Sequence, residues 1–277
     1  MIDQVKREKK KFVILIVSLI FLLVVAFFVS MCCGRYPISI AKVFTFFFGG
    51  TIDDMSRSVI VNLRIPRTLI AIMIGAALSV SGVIYQSIFN NKLTSPDLLG
   101  VSSGASVGAC FGILMGFSTG LISLFAFIVG FATVFITMFI AKLFNNKSNI
   151  ILILAGIAVG GLMSSFVGLM KYLADTDAKL SEMTFWLLGS LAKVTIQDFW
   201  IVMPVTIVGC ILALIFSWRL NIISLGRKES KALGVNYNLT LIVMIIVATA
   251  LTAVSVSFAG VVGWIGLVIP NLVRLLV

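Results

Sequence analysis

Charge is scarce in this sequence. Aspartate, glutamate, lysine and arginine make up 11% of the 277 residues, where soluble domains carry about 25%. An ordinary water-soluble core is thereby excluded. Histidine is absent, and the four cysteines (Cys32, Cys33, Cys110 and Cys210) fall in or beside apolar runs without ligand spacing. The chain therefore offers no metal site of its own, and no cofactor is expected. No Gly-x-x-x-x-Gly-Lys-Ser/Thr loop occurs, so ATP is not held here by that device. The strict alternation of barrel strands is missing. The middles of the apolar runs hold no Asp, Glu, Lys or Arg, the groups that ion-coupled transporters usually carry inside their spans.

What is present is apolar, at 60% of the residues. Eight segments stand out: 12–33, 66–89, 98–115, 121–141, 150–171, 197–217, 239–258 and 261–277. A membrane-crossing helix needs about 20 such residues, and lipid leaves backbone polar groups no partner outside helices and closed barrels. The pattern predicts an all-α, polytopic transmembrane bundle in one domain, 1–277. The first run exceeds a signal-peptide core, and Met31, not a small residue, precedes Cys32, so it reads as an uncleaved span.

The net charge of +11 would raise nucleic acid in a soluble protein. Here the cations lie between apolar runs, as topology signals at an anionic membrane surface, and no nucleic-acid partner is expected. Eight of the 21 basic residues (Arg35, Lys42, Arg57, Arg64, Arg67, Lys171, Lys179 and Lys193) fall on one side, and the other thirteen on the side of the basic tail 1–11. That balance places the N-terminus in the cytoplasm. Five of the eight crowd into the first outer segment, which contact with lipid does not explain.

Local signals add detail. Ser95-Pro96-Asp97 predicts a helix start, with a cap, a Pro and an acid in order. Gly100, Ser102, Ser103 and Gly104 lie in a run of small residues that lets helices approach closely, either as packing or as pathway lining. Ser181–Leu191 predicts a short outer helix with Trp186 as an interfacial anchor and Gly189 at its end. In the polar inner segment 218–238, residues 227–233 predict two helical turns closed by Gly234 as the left-handed residue. Such a helix is either a peg for a partner or a connection held to lipid. Arg64 and Arg67 share a helix face near a predicted N-terminus, where cations are unfavourable; an acidic partner would favour them.

Six blocks in order resemble a known family: Arg64-Ile65-Pro66-Arg67-Thr68 with Gly75–Leu78 and Ser81–Gln86; Asn90–Ala105; Ala155–Ala158; Phe185–Leu191; Leu225–Val235; and Phe258–Leu276. The sequence is similar to the permease subunits of ABC importers for iron-siderophore, haem and cobalamin chelates, the FecCD type. The resemblance implies a homodimer or paralogous heterodimer of permeases in a bacterial cell membrane. A cytoplasmic ABC ATPase and an extracytoplasmic substrate-binding protein complete the importer. It implies that Arg64 and Arg67 receive acids of the binding protein. Arg227, Lys228, Glu229, Ala232, Leu233 and Gly234 would couple to the ATPase. That family has about ten spans, so two C-terminal ones are expected to be absent here. An ion-coupled transporter and a non-transporting membrane scaffold stand as the alternatives.

Overall fold

The computed structural model describes residues 2–144, 149–174 and 176–276. Of the basic tail, Met1 and the side chains of residues 2–8 lie outside the described residues, as does Lys147. Among the described residues there are thirteen α-helices and no strand.

The first helix, α1 (Ile2–Cys32), is exposed along almost its whole apolar length. It is anchored at its C-terminal end, where Met31 is fully buried with Ile38, Val43 and Ile60. Two short helices follow, α2 (Ile40–Phe47) and α3 (Asp54–Val59). The sequence marks this stretch only as the first outer segment, with no helix predicted in it. The caps explain the difference: Ser39 accepts from the Lys42 amide and Asp53 from the Ser56 amide. The Lys42 ammonium also donates to Asp53 and ties α2 to α3. That hydrogen bond, with the one from the Ser56 amide, holds the exposed Asp53 carboxyl well below the usual carboxylate range.

No helix starts afresh at Pro66. A π-turn over Ile60–Arg64 joins α3 to α4 (Ile65–Phe89), giving one helical run from Asp54 to Phe89. Proline lacks an N–H and crowds the preceding turn, and the wide π-turn, in which the Ile65 amide reaches Ile60, makes room for it. Arg64 and Arg67 are thus interior to a helix rather than at a free N-terminus.

After α4 a 3₁₀ turn, Pro96–Leu99, leads to α5 (Val101–Leu114). Ser95 makes no side-chain cap here. The capping role passes to Asp97, which accepts from the Ser102 amide at 3.0 Å and starts α5 instead. Then come α6 (Thr119–Leu143), α7 (Asn149–Leu173), α8 (Thr176–Leu188) and α9 (Ile196–Ile215). A Thr195/Asp198 capping box opens α9. Two short helices, α10 (Ser217–Ile223) and α11 (Arg227–Ala232), precede α12 (Tyr237–Ala259) and α13 (Ile265–Leu276).

Among the described residues six helical runs are long and apolar enough to cross a membrane, and α5 and α13 are shorter apolar helices. These are the eight segments read from the sequence. At 14 residues, α5 is about 21 Å long. The preceding turn extends its path with non-helical backbone, tolerated because protein covers it: Leu99 is fully buried and its carbonyl accepts from Thr137 at 3.1 Å. α12 is the central pillar, its core residues packed with those of α4, α5 and α10. Where α4 crosses α13, a Cβ on Gly82 would stand 1.8 Å from the Gly266 carbonyl, so only glycine permits that approach.

Long-range hydrogen bonds fix the polarity of the bundle. Asn149 at the start of α7 donates to Ile88 at the end of α4 and to Tyr237 at the start of α12. Arg274 near the end of α13 donates to Gln86. These ends, with α10 and α11, share the near face, the side of the N-terminus. On the far face Arg67 donates to Ala192, Lys179 of α8 to Leu114 and Ser190 to Ala259.

Candidate functional site

On the near face the chain builds a small projecting helix. Gly226 (φ +113°) turns the chain into α11, and the buried Ser230 hydroxyl donates back to the Gly226 and Ile222 carbonyls at 2.6 and 3.2 Å. The helix ends as its sequence requires. The Gly234 amide donates to Lys231 and the Val235 amide to Ser230, at 3.1 and 2.9 Å, with Gly234 at φ +73°. This is the paired stop in which a left-handed glycine satisfies the last carbonyls. Lys228, Glu229, Lys231, Ala232, Leu233 and Gly234 are all exposed, and Leu225 beside them is 61% exposed. The helix offers charges around two bare leucines.

Arg227 does not join that outward surface. It is half-buried, with its guanidinium 4.8 Å over the Tyr237 ring, a cation–π contact. Tyr237 and Asn149 exchange hydrogen bonds at 2.9 and 3.2 Å, and Asn149 reaches the Ile88 carbonyl at 3.1 Å. One polar cluster therefore links α11 to the ends of α4, α7 and α12.

A second polar seam runs through the bundle. Ser81 donates to the Ala248 carbonyl at 2.9 Å and lies 2.7 Å from the Thr252 hydroxyl, and Tyr85 meets Thr249 at 3.3 Å. These groups satisfy one another in a buried site, as they must. They join α4 to α12 and hold no unpaired charge.

Gly100, Ser102, Ser103 and Gly104 serve contacts between helices. Gly100 adopts φ +82° at the start of α5, and Ser102 is buried, its amide on Asp97. A Cβ on Gly104 would come within 2.1 Å of the Thr133 hydroxyl of α6. Ser103 is half-buried near Gly160 of α7. Of these four, Ser102 alone borders a cavity, a space of about 260 Å³ between the Pro96 turn and the segment before α13.

On the far face α8 begins at Thr176, earlier than the predicted Ser181, and stops before Gly189 as expected. Trp186 is half-buried against the α5 and α12 core, while Phe185 and Leu188 are strongly exposed, at 71% each. Gly189 takes φ +74°, and a Cβ there would lie 2.7 Å from the Val261 carbonyl. With the Ser190 amide on the Ala259 carbonyl at 2.7 Å, this contact fastens the end of α8 to the bend after α12.

Arg64 and Arg67 do not form a joint outward surface. Arg64 is 8% exposed, and its guanidinium donates to the Met31 and Tyr36 carbonyls. It closes the chain around the end of α1. Arg67 is half-buried and donates to Ala192 at 2.7 Å, with its Nε buried and unpartnered. The fully exposed far-face arginines are Arg35 and Arg57. Arg274 joins α13 to Gln86. Tyr237 and Asn149 carried no motif; their one signal is a polar group beside an apolar run.

Known proteins match this architecture. The FecCD transport family model matches residues 22–277. The molybdate import permease MolB of Haemophilus influenzae is 37% identical over 265 residues, covering 94% of this chain and 78% of that protein. The hemin transport permease HmuU of Yersinia pestis is 32% identical over 228 residues, covering 80% and 68%. A solved inward-facing structure of a metal-chelate type ABC transporter superposes with a TM-score of 0.84 at 36% identity, over 94% of this chain and 80% of that one. A multi-span bundle with a projecting near-face helix, matched along nearly its whole length in sequence and in structure, places this chain in the FecCD transport family, as an ABC importer permease subunit rather than an enzyme.

Proposed function

We propose that this chain pairs with a second permease and imports a metal chelate of the iron-siderophore, haem or cobalamin class across a bacterial cell membrane. A separate ATPase binds at the near face and a substrate-binding protein at the far face. The basic tail and the thirteen-to-eight division of cations support a cytoplasmic near face. The observation that carries the reading is α11. Its bonded stop at Gly234 holds Leu233 out of the bundle at 55% exposure, after the exposed Glu229 and Lys231. A fixed, half-apolar peg of this kind fits a groove on a partner. The Arg227–Tyr237–Asn149 cluster then passes displacement of the peg to α4, α7 and α12.

On the far face the receiving charges are the outer arginines. Arg35 and Arg57, with the partly exposed Arg67, receive acidic groups of the binding protein, and Arg64 positions the turn that carries Arg35. Arg67 has donor capacity left, since only one of its groups is committed.

A second cargo is favoured by one specific finding: the molybdate permease is 37% identical, above the 32% of the hemin permease. An oxyanion is therefore the alternative cargo. Reconstituted liposomes with the ATPase and binding protein encoded beside this chain test both. Uptake of labelled iron chelate without molybdate uptake supports the first, the reverse supports the second, and uptake of neither rejects the transport reading.

A further inference from the structure

On the near face, beside α11, lies a cleft of about 390 Å³ between α6, α7 and α12. Its wall is apolar and includes Phe139, Leu241 and Ile242, of which Phe139 is 62% and Ile242 42% exposed. Its rim carries two cations, Lys142 at the end of α6 and Arg227 at the start of α11. No carboxylate lines it. Among the described residues neither cation has an ion-pair partner, since the ion pairs are Lys42–Asp53 and Lys193–Glu182. The one other polar side chain in the lining, Asn149, is committed to Ile88 and Tyr237.

The two halves of this cleft ask for different things. Apolar side chains at span depth are covered well by hydrocarbon. Two unpaired cations at the membrane surface are favoured by a phosphate, at about 1 kcal/mol per basic residue. One molecule meets both demands. We infer that this cleft binds an anionic phospholipid of the near-face leaflet, with an acyl chain along Phe139, Leu241 and Ile242 and the phosphate between Lys142 and Arg227. A soluble acidic segment would satisfy the rim and leave the wall bare; a zwitterionic lipid would cover the wall but bring its own ammonium, leaving the net charge of the two cations uncompensated. Because Arg227 also stacks on Tyr237, the bound phosphate rests against the polar cluster that anchors α11. Anionic lipid thereby steadies the projecting helix. The site depends on the membrane-spanning fold and not on the proposed cargo or partners.

The test is lipid retention by the full chain purified in detergent and titrated with phosphatidylglycerol or phosphatidylcholine, read by native mass spectrometry. The expected result is one tightly held phosphatidylglycerol, preferred over phosphatidylcholine by about thirty-fold, the preference worth two cations facing a net-anionic rather than a zwitterionic headgroup. Lys142→Gln with Arg227→Gln should abolish the preference, and Lys142→Arg with Arg227→Lys should keep it. If the double glutamine variant does not fold, Lys142→Gln alone should lower the preference about five-fold. Leu241→Trp, which fills the wall and leaves the cations in place, should weaken both lipids. Equal binding of the two lipids by the wild type overturns the inference. So does a preference that survives loss of the cations, which would place the anionic lipid elsewhere or leave these charges to a protein partner.

Discussion

Single residues hold the two ends of this bundle in place, and their roles separate cleanly by substitution. Gly189 combines a left-handed φ with a backbone carbonyl 2.7 Å from where its Cβ would sit. Gly189→Ala should therefore cost about 1–3 kcal/mol, from overpacking and from the disfavoured conformation. Gly161→Ala meets nothing within 4 Å and is its control; thermal unfolding in detergent should show a lowered midpoint for the first and none for the second. Tyr237→Phe keeps the ring under Arg227 and removes the hydroxyl that meets Asn149. It should cost about 1 kcal/mol of stability, measured the same way. Arg64→Ala removes a buried guanidinium from two carbonyls and should cost about 2–3 kcal/mol. Arg57→Glu should leave the midpoint unchanged while weakening capture of the binding protein in a pull-down. The sequence disclosed the arginine cluster but not its division of labour. Burial of Arg64 depends on how the turn at Met31–Tyr36 folds back over α4, a contact between residues more than 25 apart.

At the scale of elements, the legible features were those with local causes. Residues 227–234 carry their own helix and stop signals, and α11 with its Gly234 terminus stands as the sequence predicts. The long spans follow from runs of apolar residues, and α8 ends where Gly189 ends it. What was not legible depended on competition between neighbouring signals. Pro66 looks like a helix start, yet the π-turn before it lets α3 and α4 run on as one. Ser95 looks like a cap, yet Asp97 takes the capping role two residues later. The outer segment before Arg64 carries no predicted helix because its helices are short, and only the Ser39 and Asp53 caps betray them. Gly234→Val must leave the left-handed region and break the bonds to Lys231 and Ser230. It should loosen α11 by about 1–2 kcal/mol, seen as faster amide exchange over residues 227–235 with the spans unaffected.

The whole molecule is organised as two surfaces joined by rigid spans. The far face is fastened by Arg67, Lys179 and Ser190 to backbone carbonyls, and the near face by Asn149, Tyr237 and Gln86 to neighbouring helices. Between them the central helix α12 meets α4 through Ser81, Tyr85, Thr249 and Thr252, all buried and mutually satisfied. That arrangement suits a subunit moved as a body by its partners, with force entering at α11 and substrate at the far face. We propose that the energy enters at α11. The most direct test reconstitutes the chain in liposomes with its ATPase and binding protein, and compares the wild type with Leu233→Asp. Binding-protein-stimulated ATP hydrolysis is measured together with ATPase retained on the membrane. The account predicts retention and stimulation by the wild type, and loss of both, at least ten-fold, in the variant. Stimulation that persists undiminished in Leu233→Asp would contradict it.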